Sequence, residues 1–182
     1  MPIEASTIEG LFAKIGAELK KPTTLCVIGS TPGIATGQNE RQTPDIDVWF
    51  AGSSFDATEL NEVCRKIGVL YDPKSEEIDP EKIYIQIIRP GVVQLPKEFE
   101  TEIIGRYGNL TVIMPSPELL AAAKLVRSSP TDVQDVVWWV KQRGLDLSDI
   151  ELAIKQLPKA SHREAAAENL VFVELTTGRD CK

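Results

Sequence analysis

Apolar and polar positions change their period along this chain, and the change divides it. Ile8, Leu11, Phe12, Ile15 and Leu19 recur at intervals of three and four, the spacing of one helical face. An amphipathic helix is expected over residues 5–20, ended by Lys21-Pro22. Residues 23–28 form a short apolar run that closes in Gly29-Ser30 and reads as a buried strand. Residues 31–44 are rich in Gly, Pro and Thr and predict an irregular loop. A second strand is expected over 45–51, opening in Asp45-Ile46-Asp47. Asp56 with Glu59 three residues on predicts a capped helix that turns Leu60, Val63, Cys64 and Ile67 inward and closes near Gly68. Residues 74–82 are charged and turn-like. A third strand is expected over 83–88, broken by Arg89-Pro90-Gly91, then a short return over 92–95 and a last strand over 109–114.

Beyond Met114 the pattern is helical only. Ser116 is placed to cap a helix with Pro117 in its first turn, running to about Arg127. Ser128-Ser129-Pro130 is a turn, and Thr131 is expected to cap a helix ending at Arg143-Gly144. Ser148 with Glu151 reads as a capping box for a helix that stops at Pro158. One more helix is expected over 161–170, with the apolar tail 170–175 a strand or a packed extension. Strands with helices first and helices alone afterwards predict an α+β fold, not a doubly wound parallel sheet. The expected parts are 1–114, a mixed sheet with flanking helices, and 115–182, a helical part packed on it as one unit.

With 182 residues, 42% of them hydrophobic, the chain can bury a sizeable core. Its net charge of −7 gives no general pull on DNA or RNA, so broad nucleic-acid binding is not expected. A local basic patch from Lys124, Arg127, Lys141 and Arg143 stays open. No apolar stretch approaches the roughly 18 residues of a spanning helix, and no basic-then-apolar segment opens the chain. A cytoplasmic protein without membrane contact is expected. Cys26, Cys64 and Cys181 are scattered, two of them inside apolar patterns, which favours buried reduced thiols. His162 stands in a polar helix start and reads as a surface residue. Zinc has no ligand set here. The span from Gly33 to Gly37 lacks the lysine and spacing of a phosphate-cradling Walker loop.

The chemistry-bearing feature is the aspartate pair. Two residues apart on a strand, Asp45 and Asp47 project to one face. Adjacent carboxylates repel unless a cation lies between them, and magnesium takes carboxylate oxygens together with substrate phosphates. Gly29-Ser30, at the end of the preceding strand, leaves bare backbone and a hydroxyl where a phosphate could approach. Together these read as a metal-and-triphosphate site. The plainer alternative is a solvated strand end, with Asp45 capping the loop after Pro44.

Gly29-Ser30, a loop, then Asp45-Ile46-Asp47 resembles the signature of the nucleotidyltransferase fold of the DNA polymerase beta-like superfamily. The form Ile28-Gly29-Ser30 … Thr43-Pro44-Asp45-Ile46-Asp47-Val48 is similar to that of small bacterial nucleotidyltransferase-like proteins related to the abortive-infection and toxin–antitoxin nucleotidyltransferases. Residues 116–125 are similar to the segment in which that group carries a lysine, here Lys124. Arg127 with Thr131-Asp132-Val133-Gln134-Asp135 is similar to its arginine and paired-aspartate segment. The resemblance spans about residues 24–157 and implies a nucleotidyltransferase-like mixed sheet followed by helices.

It also implies roles. Gly29 and Ser30 would hold the beta and gamma phosphates of a nucleoside triphosphate, and Asp45 and Asp47 would hold Mg2+. Lys124 would reach the triphosphate as a point charge, and Arg127 and Asp135 would support its helix or the base pocket. The acceptor would be a hydroxyl on RNA or protein. Each residue has a plainer reading: Lys124 snorkelling at the edge of an apolar helix, and Asp132 and Asp135 favouring a helix N-terminus. Of the adjacent Trp138 and Trp139, one is expected in the core, while the other could cover a base or a partner.

Polymerising members of the superfamily use a third carboxylate on a later central strand. On 83–88 the polar inward candidate is Gln86. Asp72 and Asp79 are near in sequence, but a charged turn intervenes, which makes either a poor replacement. Two outcomes stay open: a transferase that draws its base from elsewhere, or a catalytically degenerate module acting as a nucleotide sensor or toxin–antitoxin partner. An acid placed at position 86 is expected, on sequence alone, to tighten magnesium binding.

Overall fold

Alternating burial along short strands and helical burial stripes build the fold seen in a computed structural model, which describes residues 5–91 and 94–178. The chain divides into two units, Met1–Arg89 with Thr101–Met114, and Pro90–Glu100 with Pro115–Lys182. The first carries α1 (Ala5–Glu18), β1 (Thr23–Cys26), α2 (Thr31–Ala35), β2 (Asp45–Trp49), α3 (Ala57–Ile67), β3 (Leu70–Tyr71), β4 (Tyr84–Ile88), β5 (Thr101–Tyr107) and β6 (Leu110–Pro115). The second carries α4 (Pro117–Arg127), α5 (Pro130–Gln142), α6 (Leu147–Gln156) and α7 (Ala160–Thr177). The α+β class and the helical C-terminal part are as expected.

In the first unit one sheet has the order β2-β4-β3 and the other β1-β6-β5. β2 and β3 both run parallel to β4, and β1 runs parallel to β6. The sheets meet where Val27, just past β1, bridges antiparallel to Val48. There the Ile28 amide donates to the Asp47 carbonyl at 2.9 Å. The end of the first strand is thereby fixed against the aspartate strand. Leu25, Ile46, Val48, Ile85, Ile87 and Val112 are buried at alternate strand positions. Helix α1 buries Ile8, Leu11, Phe12 and Ile15, and each such side chain contributes about 2 kcal/mol on leaving water. At Gly16 a Cβ would stand 1.7 Å from the Tyr107 carbonyl oxygen, so only glycine lets α1 approach β5 this closely. Asp56 caps α3 by accepting from the Thr58 and Glu59 amides, and Gly68 closes it in the left-handed region, as the sequence predicts.

Several expectations are corrected. Residues 31–44 are not wholly irregular: α2 forms there, because Pro32 fits a helix's first turn and the Ile34 amide reaches the Ser30 carbonyl at 3.2 Å. Strands β3 and β5 had no clear apolar alternation to announce them. β5 is largely exposed, and β3 is two residues long. The return over 92–95 lies partly outside the described residues. The N-cap of α5 is Ser129, not Thr131; its hydroxyl accepts from the Asp132 amide and the Asp132 side chain reaches back. The N-cap of α6 is Asp146, not Ser148, and the Asp146 side chain makes no capping hydrogen bond. Helix α7 runs through the apolar tail to Thr177, since Ala166, Leu170 and Val173 continue one buried stripe.

In the second unit α4 packs against α5, α6 and α7. Arg127 grips Asp132 through two hydrogen bonds of 2.7 and 2.8 Å, a fork geometry that ties α4 to the first turn of α5. Burial pushes the Asp132 carboxyl up, but hydrogen bonds from Arg127 and Ser129 and the charges of Lys124 and Arg127 outweigh it and hold it at about 2. A carboxyl held below its ordinary value stabilises the fold above pH ~4 and loses that contribution as pH falls towards 2, about 2 kcal/mol in all. Asp132→Asn should therefore flatten the acid limb of a denaturation curve measured from pH 5 to pH 2, while wild type steepens there.

Cys26 and Cys64 are buried free thiols, and burial pushes each up to about 12, so neither is reactive near neutrality. Cys181 lies outside the described residues. Among the described residues no helix is long and apolar enough to cross a membrane.

Candidate functional site

Strand β2 alternates half-buried Asp45 and Asp47 with fully buried Ile46 and Val48. The pleat therefore sends both carboxylates to the face opposite the core residues. Gly29 meets that face. Its φ of +70° is left-handed, and a Cβ on it would lie 2.2 Å from Asp47 Oδ2. Two independent reasons, conformation and space, reserve the position for glycine. The next residue, Ser30, accepts a hydrogen bond from Arg41 Nη2 at 2.9 Å. Thr31 follows, with its hydroxyl buried and given no hydrogen-bond partner by the protein. The Thr43 hydroxyl donates to the Asp45 carboxylate and fixes that side chain.

Strand β4 completes the face. In register, Asp45 stands beside Tyr84 and Asp47 beside Gln86, and register partners in a sheet share a face. Burial raises the Tyr84 phenol, and the charges of Asp45 and Asp47 raise it further. Gln86 occupies the place the sequence assigns it, beside the aspartate pair. Its amide nitrogen donates to Asp72 Oδ1 at 3.1 Å.

Among the described residues no group of three or more His, Cys, Asp or Glu side chains comes together to hold a metal ion. The local donors are the two carboxylates of Asp45 and Asp47, hard oxygens. Such a set fits magnesium, which keeps several waters and shares its remaining positions with substrate phosphates. It does not fit an all-protein calcium or zinc cage.

Lys124, Arg127 and Asp135 belong to the helical unit. Lys124 Nζ lies 2.7 Å from Asp135 and 3.8 Å from Asp132. The lysine side chain is 11% exposed and both carboxylates 2%. Lys124 is thus an ion-paired residue inside its unit and does not snorkel at an edge. Arg127 is engaged with Asp132, so two of the four cations of the suggested basic patch already face carboxylates. Trp139 is buried, Trp138 half-buried, and their rings meet edge-on at 5.1 Å.

Sequence reasoning missed Arg41, Thr43 and Tyr84 around the pair, and it set Asp72 aside. Arg41 and Thr43 stand immediately before Asp45, where their proximity was the available signal. Tyr84 and Asp72 depend on strand pairing, which no local pattern announces.

No curated protein and no solved structure is matched by the chain. Over residues 7–172 it matches the family model described as Nucleotidyltransferase of unknown function (DUF6036). That span takes in both the Gly29-Ser30/Asp45-Asp47 face and the Lys124–Asp135 helices, and the chain belongs to this nucleotidyltransferase family.

Proposed function

We propose that the Asp45–Asp47 face binds a nucleoside triphosphate with magnesium and that the protein transfers a nucleotidyl group to an acceptor hydroxyl. The observation that carries this reading is the approach of Gly29 to Asp47, which sets side-chain-free backbone against a paired carboxylate. Gly29 and Ser30 would cradle phosphate oxygens, with the Arg41 guanidinium at the Ser30 hydroxyl adding positive charge to that turn. Asp45, oriented by Thr43, and Asp47 would hold the metal. Magnesium there would offset the charge of the triphosphate. Within the helical unit, Lys124, Arg127 and Asp135 are proposed as nucleotide-binding residues.

Gln86 favours a second reading, a module that binds triphosphate without transferring it, as a nucleotide sensor or toxin–antitoxin partner would. An amide cannot take the acceptor's proton as a carboxylate does. Calorimetry with each triphosphate tests binding. Incubation with nucleotide labelled at the alpha phosphate then separates the readings, since only the transferase leaves label on an acceptor.

A further inference from the structure

Asp72 has more partners than a turn residue needs. It follows β3 with a left-handed φ of 44°, a conformation that costs a non-glycine residue roughly 1 kcal/mol. Its amide donates to the Ile85 carbonyl at 2.7 Å. Its Oδ1 accepts from the Ile87 amide and from Gln86 Nε2, both at 3.1 Å, and its Oδ2 accepts from Arg89 Nη2 at 2.8 Å. Both oxygens are therefore engaged, and Asp72 is poorly placed to serve as a base. What it does is determine which arm of the Gln86 amide faces it. A carboxylate only accepts, so the nitrogen must turn to Asp72 and the carbonyl oxygen must turn elsewhere. β4 lies between β3 and β2. The nitrogen is held on the β3 side, while the residue itself stands beside Asp47 of β2.

We infer that Asp72 is a positioning residue that locks the Gln86 amide so that its oxygen serves the Asp45–Asp47 face as a third, uncharged oxygen ligand for a divalent cation. The inference rests on the metal-and-triphosphate reading above. It also revises the sequence-based expectation for position 86. An acid placed there would meet the Asp72 carboxylate where the amide now donates to it, and the two charges would oppose each other. The acid becomes compatible only when position 72 supplies the donor.

The experiment is a double-mutant cycle over Gln86→Glu and Asp72→Asn, with Asp72→Ala alongside, each read by thermal melting and by Mn2+ titration followed by electron paramagnetic resonance. Mn2+ is the probe because it takes the same oxygen ligands as magnesium. Gln86→Glu alone should melt several degrees below wild type and bind Mn2+ no more tightly. Asp72→Asn/Gln86→Glu should recover part of the lost melting temperature, because the new amide nitrogen also faces the Ile87 amide, and should bind Mn2+ about tenfold more tightly than wild type, because one ligand gains full charge. Asp72→Ala should weaken Mn2+ binding several-fold, a loss that a merely structural role would not produce. Additive single effects, or Mn2+ affinity unchanged by Asp72→Ala and by the double variant, would overturn this inference alone. Failure of wild type itself to bind Mn2+, with or without triphosphate, would overturn the metal-site reading and this inference with it.

Discussion

Lys124→Met is expected to destabilise the protein by about 3 kcal/mol, because it removes the ammonium from a nearly fully buried carboxylate pair. Against a total of about 5–15 kcal/mol for a typical domain, that is a large fraction, visible in a denaturant midpoint. Lys124→Met/Asp135→Leu should recover part of it, since the second change removes the buried carboxylate that the first leaves unpaired. The double variant also separates the two readings of the lysine. Recovered stability with lost triphosphate affinity assigns Lys124 to the nucleotide. Recovered stability with affinity intact assigns it to the helical core.

Asp45→Asn/Asp47→Asn should leave the protein folded, with a melting temperature close to that of wild type. Relief of like-charge repulsion offsets what the carboxylates' own partners contribute, and an asparagine oxygen can still accept from the Thr43 hydroxyl. Magnesium-dependent triphosphate affinity should fall at least about 100-fold, ~2.8 kcal/mol. A folded variant that binds triphosphate as wild type does would make the pair structural. An unfolded variant would place it in the core, against its half-buried setting.

Much of this site was legible because its signals are local. A two-residue spacing on a strand fixes the shared face of Asp45 and Asp47 whatever the strand pairs with. Gly29-Ser30 after an apolar run marks a turn that needs an open backbone. Helices α3 and α4 were legible through Asp56, Gly68, Ser116 and Pro117, whose capping chemistry acts within one turn.

What failed to show depends on distant partners. The exposed strand β5 owes its existence to its sheet neighbour and not to its own alternation. The competition between Ser129 and Thr131 for the α5 cap was decided by the Asp132 side chain reaching back to Ser129. The tail of α7 reads as a strand in isolation, because Leu170, Val171, Phe172 and Val173 are contiguous and apolar. Only packing shows that Leu170 and Val173 are buried while Val171 and Phe172 are exposed. Asp72 looked remote from Gln86 across a charged turn, and the parallel pairing of β3 with β4 removes that distance.

The central claim is that the Asp45–Asp47 face is a magnesium-dependent triphosphate site. Calorimetric titration of the wild-type chain with ATP, GTP, CTP and UTP, each in magnesium and then in excess chelator, tests it most directly. The account predicts saturable binding of at least one triphosphate in magnesium and its loss in chelator. Binding that is indifferent to magnesium, or no binding of any triphosphate, would contradict it.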